Sequence, residues 1–415
     1  MKPTKEQMVA GPTIPVGQPL SAILFSHRLQ GRSDRKKVAQ NINAPKEDIF
    51  CDNSGMRFLL VLLTAATAAL AQPARQTQSS HTIESLRGVS VVSQNVAWAS
   101  GTHGTYLRTT DTGRTWTAAQ VPNAGTLDFR GVVAFSADEA FLMSAGPGDQ
   151  SRIYHTSDAG QHWQLQFTNS NPKAFFDSIA FWDPTHGIVL GDPIPDDSGR
   201  LKFQLLTTAD GQSWTPIPPA QLPPAIDGEG AFAASNSCLA ILPDNDSNIW
   251  FATGGKVARV VHSADRGHTW QVFDTPLIHG PDSAGIFSIV FRDPLHGIIA
   301  GGDYKHPEQD GPNLAFTNDG GKTWTLSRIY PQSYYSAVSY DRRSLTRASN
   351  NLDDNQAHVR IFLAGPKFVY DFRPPDNPTR ISPPRKSPIQ FNAISPYPNG
   401  GALFVGPKGS ITTIP

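Results

Sequence analysis

The sequence predicts an all-β protein, a single seven-bladed β-propeller of four-stranded antiparallel blades. Three observations predict it. A stretch at 109–116, Thr-Thr-Asp-Thr-Gly-Arg-Thr-Trp, returns at 156–163, 207–214, 263–270 and 317–324. Its tryptophans lie 47, 51, 56 and 54 residues apart, and a period near 50 marks an array of sheet units that bury their faces only by stacking. Seven apolar runs end in glycine, and another strand-like run precedes each of them. The 35 glycines and 35 prolines suit many short strands and turns.

The physics of one copy is local. Asp111, and likewise Asp158, Asp265 and Asp319, can accept hydrogen bonds from the N–H groups of its own turn. Gly113, Gly160, Gly211, Gly267 and Gly321 supply a backbone conformation that a side chain opposes. Trp116, Trp163, Trp214, Trp270 and Trp324 start the next strand and can wedge between neighbouring sheets. At 207–214 the pattern is damaged, with Asp210 one place late. Polar turn chemistry of this kind is what a tight hairpin needs, so the copies read as structural rather than catalytic.

The pattern [ST]-x-D-x-G-x-[TSH]-W resembles the Asp-box, or BNR repeat, of sialidases, sortilin-type receptors, xyloglucanases and photosystem II assembly-factor propellers. That resemblance implies a propeller with its boxes on peripheral hairpins, away from any active site. Further stretches are similar to bacterial exported propellers of the photosystem II stability/assembly-factor-like group, over about residues 80–415. They are Arg-Gly-Val at 87–89 and 130–132, Gly-Glu-Gly-Ala-Phe-Ala-Ala-Ser at 228–235, Ala-Gly-Ile-Phe-Ser at 284–288, Gly-Gly-Asp-Tyr at 301–304 and Gly-Pro-Lys-Gly at 406–409. The genuine photosystem II assembly factors use basic patches on the ring, and by that resemblance Arg87 and Arg130 can begin such a patch here, diluted by neighbouring carboxylates.

Taken in order, residues 1–55 show no periodicity and read as an over-extended, unstructured start. Residues 56–71 read as a secretory signal peptide: Met56-Arg57, an apolar run of 14 residues, and the cleavage pattern Ala69-x-Ala71. The run is too short to span a membrane as a helix. The mature chain, 72–415, is expected in the periplasm or outside the cell, as a monomer without a transmembrane segment. It keeps one cysteine, Cys238, in an apolar run, so no internal disulfide forms and the thiol reads as a packing residue. Charge is balanced at 35 against 35, which gives no basis for binding nucleic acid.

Within each repeat, strand A is the first run, including Gly230-Ala-Phe-Ala-Ala in the fourth, and strand B ends at the glycine. Strand C leads into the box and strand D begins at its tryptophan. The final repeat lacks strand D, and 81–85 can fill that place and close the ring. The sixth repeat has lost its box, and its Pro-rich 373–388 stretch reads as an irregular loop.

This strand order puts the boxes on one face. The B-to-C and D-to-A loops lie on the other, where function in such rings usually sits. That face gathers Arg87, His103, Arg130, Asp177, Asp192, Glu229, Asp303, Tyr304, Asn392 and Lys408 as candidate ligand-binding residues. Three chemistries compete for it. Asp192 and Asp303 are the pair for a glycoside hydrolase, although the Arg-Ile-Pro that sialidases place near the first blade is absent. Asp192, Asp196 and Asp197 are oxygen ligands of the type calcium prefers, but their spacing matches no EF-hand loop, and His186 and His296 sit in a duplicated Asp-Pro-x-His-Gly that reads as a turn, so no metal site is assigned. No dinucleotide fingerprint is present, and no cofactor is expected. The reading preferred is a non-catalytic scaffold that binds a protein or a glycan.

Overall fold

The computed structural model describes residues 75–242, 247–327, 333–349, 359–365, 368–372, 385–386 and 390–415. The expected leader at 1–55, the signal peptide at 56–71 and the mature start at Gln72 lie outside them, as does most of 373–388.

Short apolar runs punctuated by Gly, Asp and Ser fold into antiparallel meanders, each strand hydrogen-bonded to the next in sequence. The first sheet is Leu86–Val91, Ala97–Gly101, Thr105–Thr109 and Thr117–Gln120. Asp128–Ala134, Ala140–Ala145, Arg152–Thr156 and Gln164–Thr168 follow. Then come Phe176–Asp183, His186–Pro195, Leu201–Thr208 and Thr215–Pro216. Leu239–Ile241, Ile249–Ala252, Arg259–Ser263 and Gln271–Asp274 make another. After a larger sheet around 284–326, Ala337–Tyr340, Ile361–Ala364, Phe368–Phe372 and Arg385–Lys386 pair in order. Ala393–Pro396, Ala402–Gly406 and Ser410–Ile414 close the chain.

The expected ring of seven four-stranded blades does not form. Six blades have four strands, and the sheet of Ala284–Phe291, Gly297–Asp303, Leu314–Thr317 and Thr325–Leu326 has six. Its extra strands are Glu229–Gly230 and Gly254–Gly255. The cause lies in the fourth repeat. Gly230-Ala-Phe-Ala-Ala, expected as strand A, leaves the sheet, and only Leu239–Ile241 pairs as the inner strand. Gly254 is then free to pair across to Gly285 of the neighbouring sheet. Gly285 has φ +151° and lies directly against the Gly254 backbone, so neither position has room for a side chain. An unexpected helix, Arg342–Ser349, fills the turn after Ala337–Tyr340, started by the Asp341 carboxylate accepting from Arg343 N at 2.9 Å.

Ring closure also differs from expectation. Gln76–Gln78, not 81–85, supplies the outer strand, pairing Gln76 with Thr413, Thr77 with Thr412 and Gln78 with Ile411. Residues 80–84 form a turn instead, with Ser80 Oγ donating to Thr82 O at 3.2 Å and Glu84 N to Thr82 Oγ1 at 3.1 Å, and Glu84 O accepts from Gly409 N at 2.7 Å.

The five Asp turns share one geometry. Thr109 Oγ1 donates to Asp111 Oδ1 at 2.9 Å and accepts from Gly113 N at 3.0 Å, while Thr115 N and Oγ1 reach the same carboxylate at 2.9 and 2.6 Å. Asp158, Asp265 and Asp319 repeat it with Thr156, Ser263 and Thr317. At the damaged copy the frame starts at Thr208, not Thr207. Thr208 Oγ1 bonds Asp210 at 3.0 Å and Gly211 N at 2.9 Å, so the missing residue falls between Asp210 and the glycine. The tryptophans enter the cores between neighbouring sheets. Trp116 packs with residues of the first and closing sheets, Trp214 with those of 128–168 and 176–216, and Trp324 with those of 239–274 and 284–326. Trp163 and Trp270 pack against the equivalent clusters from partly buried positions. Trp116 Nε1 donates to Gln78 Oε1 at 2.8 Å, which ties a box to the closing strand.

Candidate functional site at the mouth of the ring

The displaced segment 231–238 organises the face opposite the Asp turns. It is rich in Ala and Ser, small enough to thread between inner strands, and it turns at Asn236 with φ 60°. Its hydrogen bonds reach three other sheets and Ser336, just ahead of a fourth. Arg130 Nη1 donates to Ala233 O at 3.1 Å. Ile179 N donates to Asn236 Oδ1 at 2.8 Å, and Asn236 Nδ2 returns a bond to Ile179 O at 3.1 Å. Ser237 Oγ meets Ser288 Oγ at 2.7 Å, and Ser235 Oγ donates to Ser336 O at 2.6 Å. The partners belong to the inner strands of the 128–168, 176–216 and 284–326 sheets, with Ser336 just ahead of Ala337–Tyr340. The segment therefore crosses the opening that the inner strands surround.

Two carboxyls lie at its near end. Asp192 Oδ1 accepts from Ala231 N at 3.0 Å, and the Ala233 backbone lies close enough to Asp177 to favour its charged form slightly. Asp177 is 1 % exposed and its Oδ2 has no hydrogen-bond partner. Burial first, then the nearby Asp192, raises the Asp177 pKa well above the carboxylate range, with Arg130 opposing. Burial raises Asp192 to about 6. Cys238, at the far end of the segment, is fully buried as expected, and burial pushes its thiol up.

Beside the segment lies a basic and aromatic cluster. Arg130 Nε donates to Asp128 Oδ2 at 2.7 Å, and Arg87 Nε approaches the same oxygen at 3.8 Å. Arg87 Nε and Asp128 Oδ1 are buried without hydrogen-bond partners. Phe232 of the crossing segment stacks on Phe287 with ring centres 3.8 Å apart, and Tyr334 and Tyr304 meet Phe287 edge-on at 4.6 and 6.2 Å. Burial raises the Tyr334 hydroxyl, with Arg87 and Arg130 lowering it. Tyr304 is 48 % exposed and presents the outer edge of the cluster.

No protein-family model and no curated protein matches the chain. Among solved structures, U3-55K is similar with a TM-score of 0.54 at 12% identity, over 82% of this chain and 98% of that one. The WD40 propeller domain of Doa1 gives 0.52 at 11%, over 82% and 97%. The chain is a β-propeller. YCF48 bound to a D1 peptide also matches, at 14% identity over 82% of this propeller and 96% of that chain, with a TM-score of 0.37.

The candidates are gathered on the mouth only in part. Arg87, Arg130, Asp177, Asp192 and Tyr304 belong to the mouth cluster. Glu229 is buried and takes Arg259 Nε at 2.9 Å and Thr253 Oγ1 at 2.8 Å on one oxygen, so it is an internal anchor. Asp303 accepts Lys305 N at 2.9 Å and faces His306 Nδ1 at 2.8 Å. Burial opposes ionisation there, but these partners leave its pKa lowered. Asn392 Nδ2 donates to Leu86 O at 2.7 Å and staples the closing sheet to the first. His103 pairs with Glu84 at 2.7 Å, and Lys408 is exposed at a turn with φ 56°. Asp183 and Asp293 cap the duplicated turns, each accepting from the backbone of His186 or His296. Asp196 accepts Ser198 N and Arg200 N at 2.9 and 3.0 Å. Among the described residues, no group of three or more His, Cys, Asp or Glu is placed to hold a metal ion. Sequence reasoning missed Asp128, Phe232 and Tyr334. Asp128 had a legible signal, since residues i and i+2 of a strand share one face and Arg130 follows at that spacing.

Proposed function

We propose that the chain is an exported, non-catalytic binding scaffold that uses the mouth cluster to hold a protein segment carrying a carboxylate. The observation that carries this reading is the state of the charged groups on that face. The carboxyls expected to act in hydrolysis have structural work. Asp192 holds Ala231 and Asp303 closes its own turn. A glycosidase needs two carboxyls facing one another across a substrate cleft. The guanidiniums of Arg87 and Arg130, by contrast, share a single carboxylate, and Arg87 Nε is left without a hydrogen bond in the cluster that also holds Tyr334. A planar guanidinium beside aromatic rings suits a carboxylate on a peptide with apolar neighbours.

The test passes the exported protein fraction over immobilised wild type, Arg87→Glu, Tyr304→Ala and the remote Lys322→Ala, alongside a glycan array and glycosidase substrates. Retention of a discrete protein by wild type and Lys322→Ala, with loss on Arg87→Glu and Tyr304→Ala, is the expected result. Glycoside turnover abolished by Asp192→Asn or Asp303→Asn would replace the scaffold with a hydrolase. Glycan binding without turnover would keep the scaffold and change its ligand.

A further inference from the structure

We propose that segment 231–238 is a proton-controlled plug, seated in the ring while the two carboxyls buried beneath it are protonated and loosened when they ionise. This goes beyond the mouth as a binding surface and does not depend on what binds there. The geometry carries it. Asp177 and Asp192 come from neighbouring strands under the segment: Asp192 bonds it at Ala231, and Asp177, 1 % exposed with Oδ2 unpartnered, lies against it near Ala233. A buried carboxyl with an unpartnered oxygen is tolerable when neutral and costly when charged. A second carboxyl close by makes double ionisation costlier still.

The other charged and titratable groups around the pair leave that balance standing. Arg130 favours ionisation of Asp177, but it is held by Asp128 and Ala233 O. Arg87 lies beyond Arg130 on Asp128. Glu229 is engaged by Arg259. Cys238, on the segment itself, stays a neutral thiol because burial raises it. From the 337–386 sheet the segment meets Ser336, which carries no charge. Opening the plug lets water reach both carboxyls and returns them toward ordinary acidity, so rising pH favours the open form. The segment has the features of a movable piece: one residue with φ 60°, three alanines and two serines, and a single aromatic anchor, Phe232 on Phe287.

Hydrogen exchange on the full chain tests this, with rates corrected for intrinsic exchange and Gly297–Asp303 as an internal reference. Between about pH 5 and about pH 7.5, protection of 231–238 should fall on the order of tenfold in wild type while the reference holds. In Asp192→Asn the fall should be much smaller. Equal protection of 231–238 at both pH values, or the same fall in Asp192→Asn, would overturn the proposal. A second reading needs no variant to fold. Alkylation of Cys238, mapped by mass and corrected for thiolate fraction, should rise over the same range. Reactivity that stays flat after correction would also overturn it.

Discussion

The Asp turns and the crossing segment are both short polar stretches with a left-handed residue, and they behave oppositely. In the turn at 109–116 the bonds of the Asp111 carboxylate and the Thr109 hydroxyl all close between Thr109 and Thr115, while Thr112 and Trp116 reach outside it, to Asn95 and Gln78. In 231–238 most bonds leave the segment for other sheets. The turn's carboxylate is half-buried and hydrogen-bonded, and donors from Thr115 hold Asp111 at about 2. The segment's carboxyls are buried, and burial holds Asp192 at about 6. One arrangement stabilises a charge and the other suppresses it. A motif whose bonds are local repeats wherever its sequence does, whereas a segment whose bonds are distant exists once.

The largest effect should come from removing what the turns deliver to the cores. Trp324→Ala empties a site between two sheets, where the ring is 9 % exposed and edge-on to Phe291 at 6.1 Å. It should cost about 3–5 kcal/mol in urea unfolding. A loss no larger than that of a surface change would break the claim that the turns act through their tryptophans.

Gly285→Ala comes next. The added methyl meets the Gly254 backbone at the stitch between sheets, at φ +151°. About 2–3 kcal/mol should be lost, with hydrogen exchange accelerating at 229–230 and 254–255 before the Asp turns. Uniform acceleration would show that the composite sheet has no independent weakness.

Asn236→Ala removes the three side-chain bonds to Ser178 and Ile179 and leaves alanine at φ 60°. Thermal unfolding should show a loss of about 1–3 kcal/mol. Asn236→Gly relieves the backbone cost and should recover only part of it. Full recovery would mean that the hydrogen bonds contribute little.

The smallest effects are the pH slopes, which separate the two regions by sign. Folded-state values near 2 for Asp111, Asp158 and Asp265 lie below the ordinary carboxylate value. Their contribution is present above about pH 4 and fades as pH falls toward 2. Asp192, raised to about 6, works the other way. Its contribution is present below about pH 4 and is lost as pH rises through 6. Equilibrium unfolding of Asp265→Asn should lose part of the acid slope, and Asp192→Asn should lose part of the slope on the way to neutrality. Exchanged or identical slopes would sink the contrast.

Much of the ring was legible because each element is specified by neighbours in sequence. Asp111, Gly113 and Trp116 announce a hairpin and a wedge without reference to the rest of the chain. The register of most strands followed from runs ending in glycine, such as Ala97–Gly101. The mouth was half legible. Arg87 and Arg130 stood out at strand starts, but their shared partner Asp128 and the rings of Phe232 and Tyr334 come from separate repeats, and no local pattern joins them. Glu229 read as a ligand group because sequence does not show that Arg259 buries it.

By itself the sequence determined an all-β array, the placement of its hairpins and the face on which loops gather, because hydrogen-bonded turns and apolar alternation act over a few residues. Only the tertiary structure decided that 231–238 leaves its sheet, that Glu229–Gly230 and Gly254–Gly255 join the neighbour, and that Gln76–Gln78 closes the ring. Those choices depend on which backbone groups remain unpaired once the sheets are packed, and that is a property of the whole ring rather than of any stretch within it.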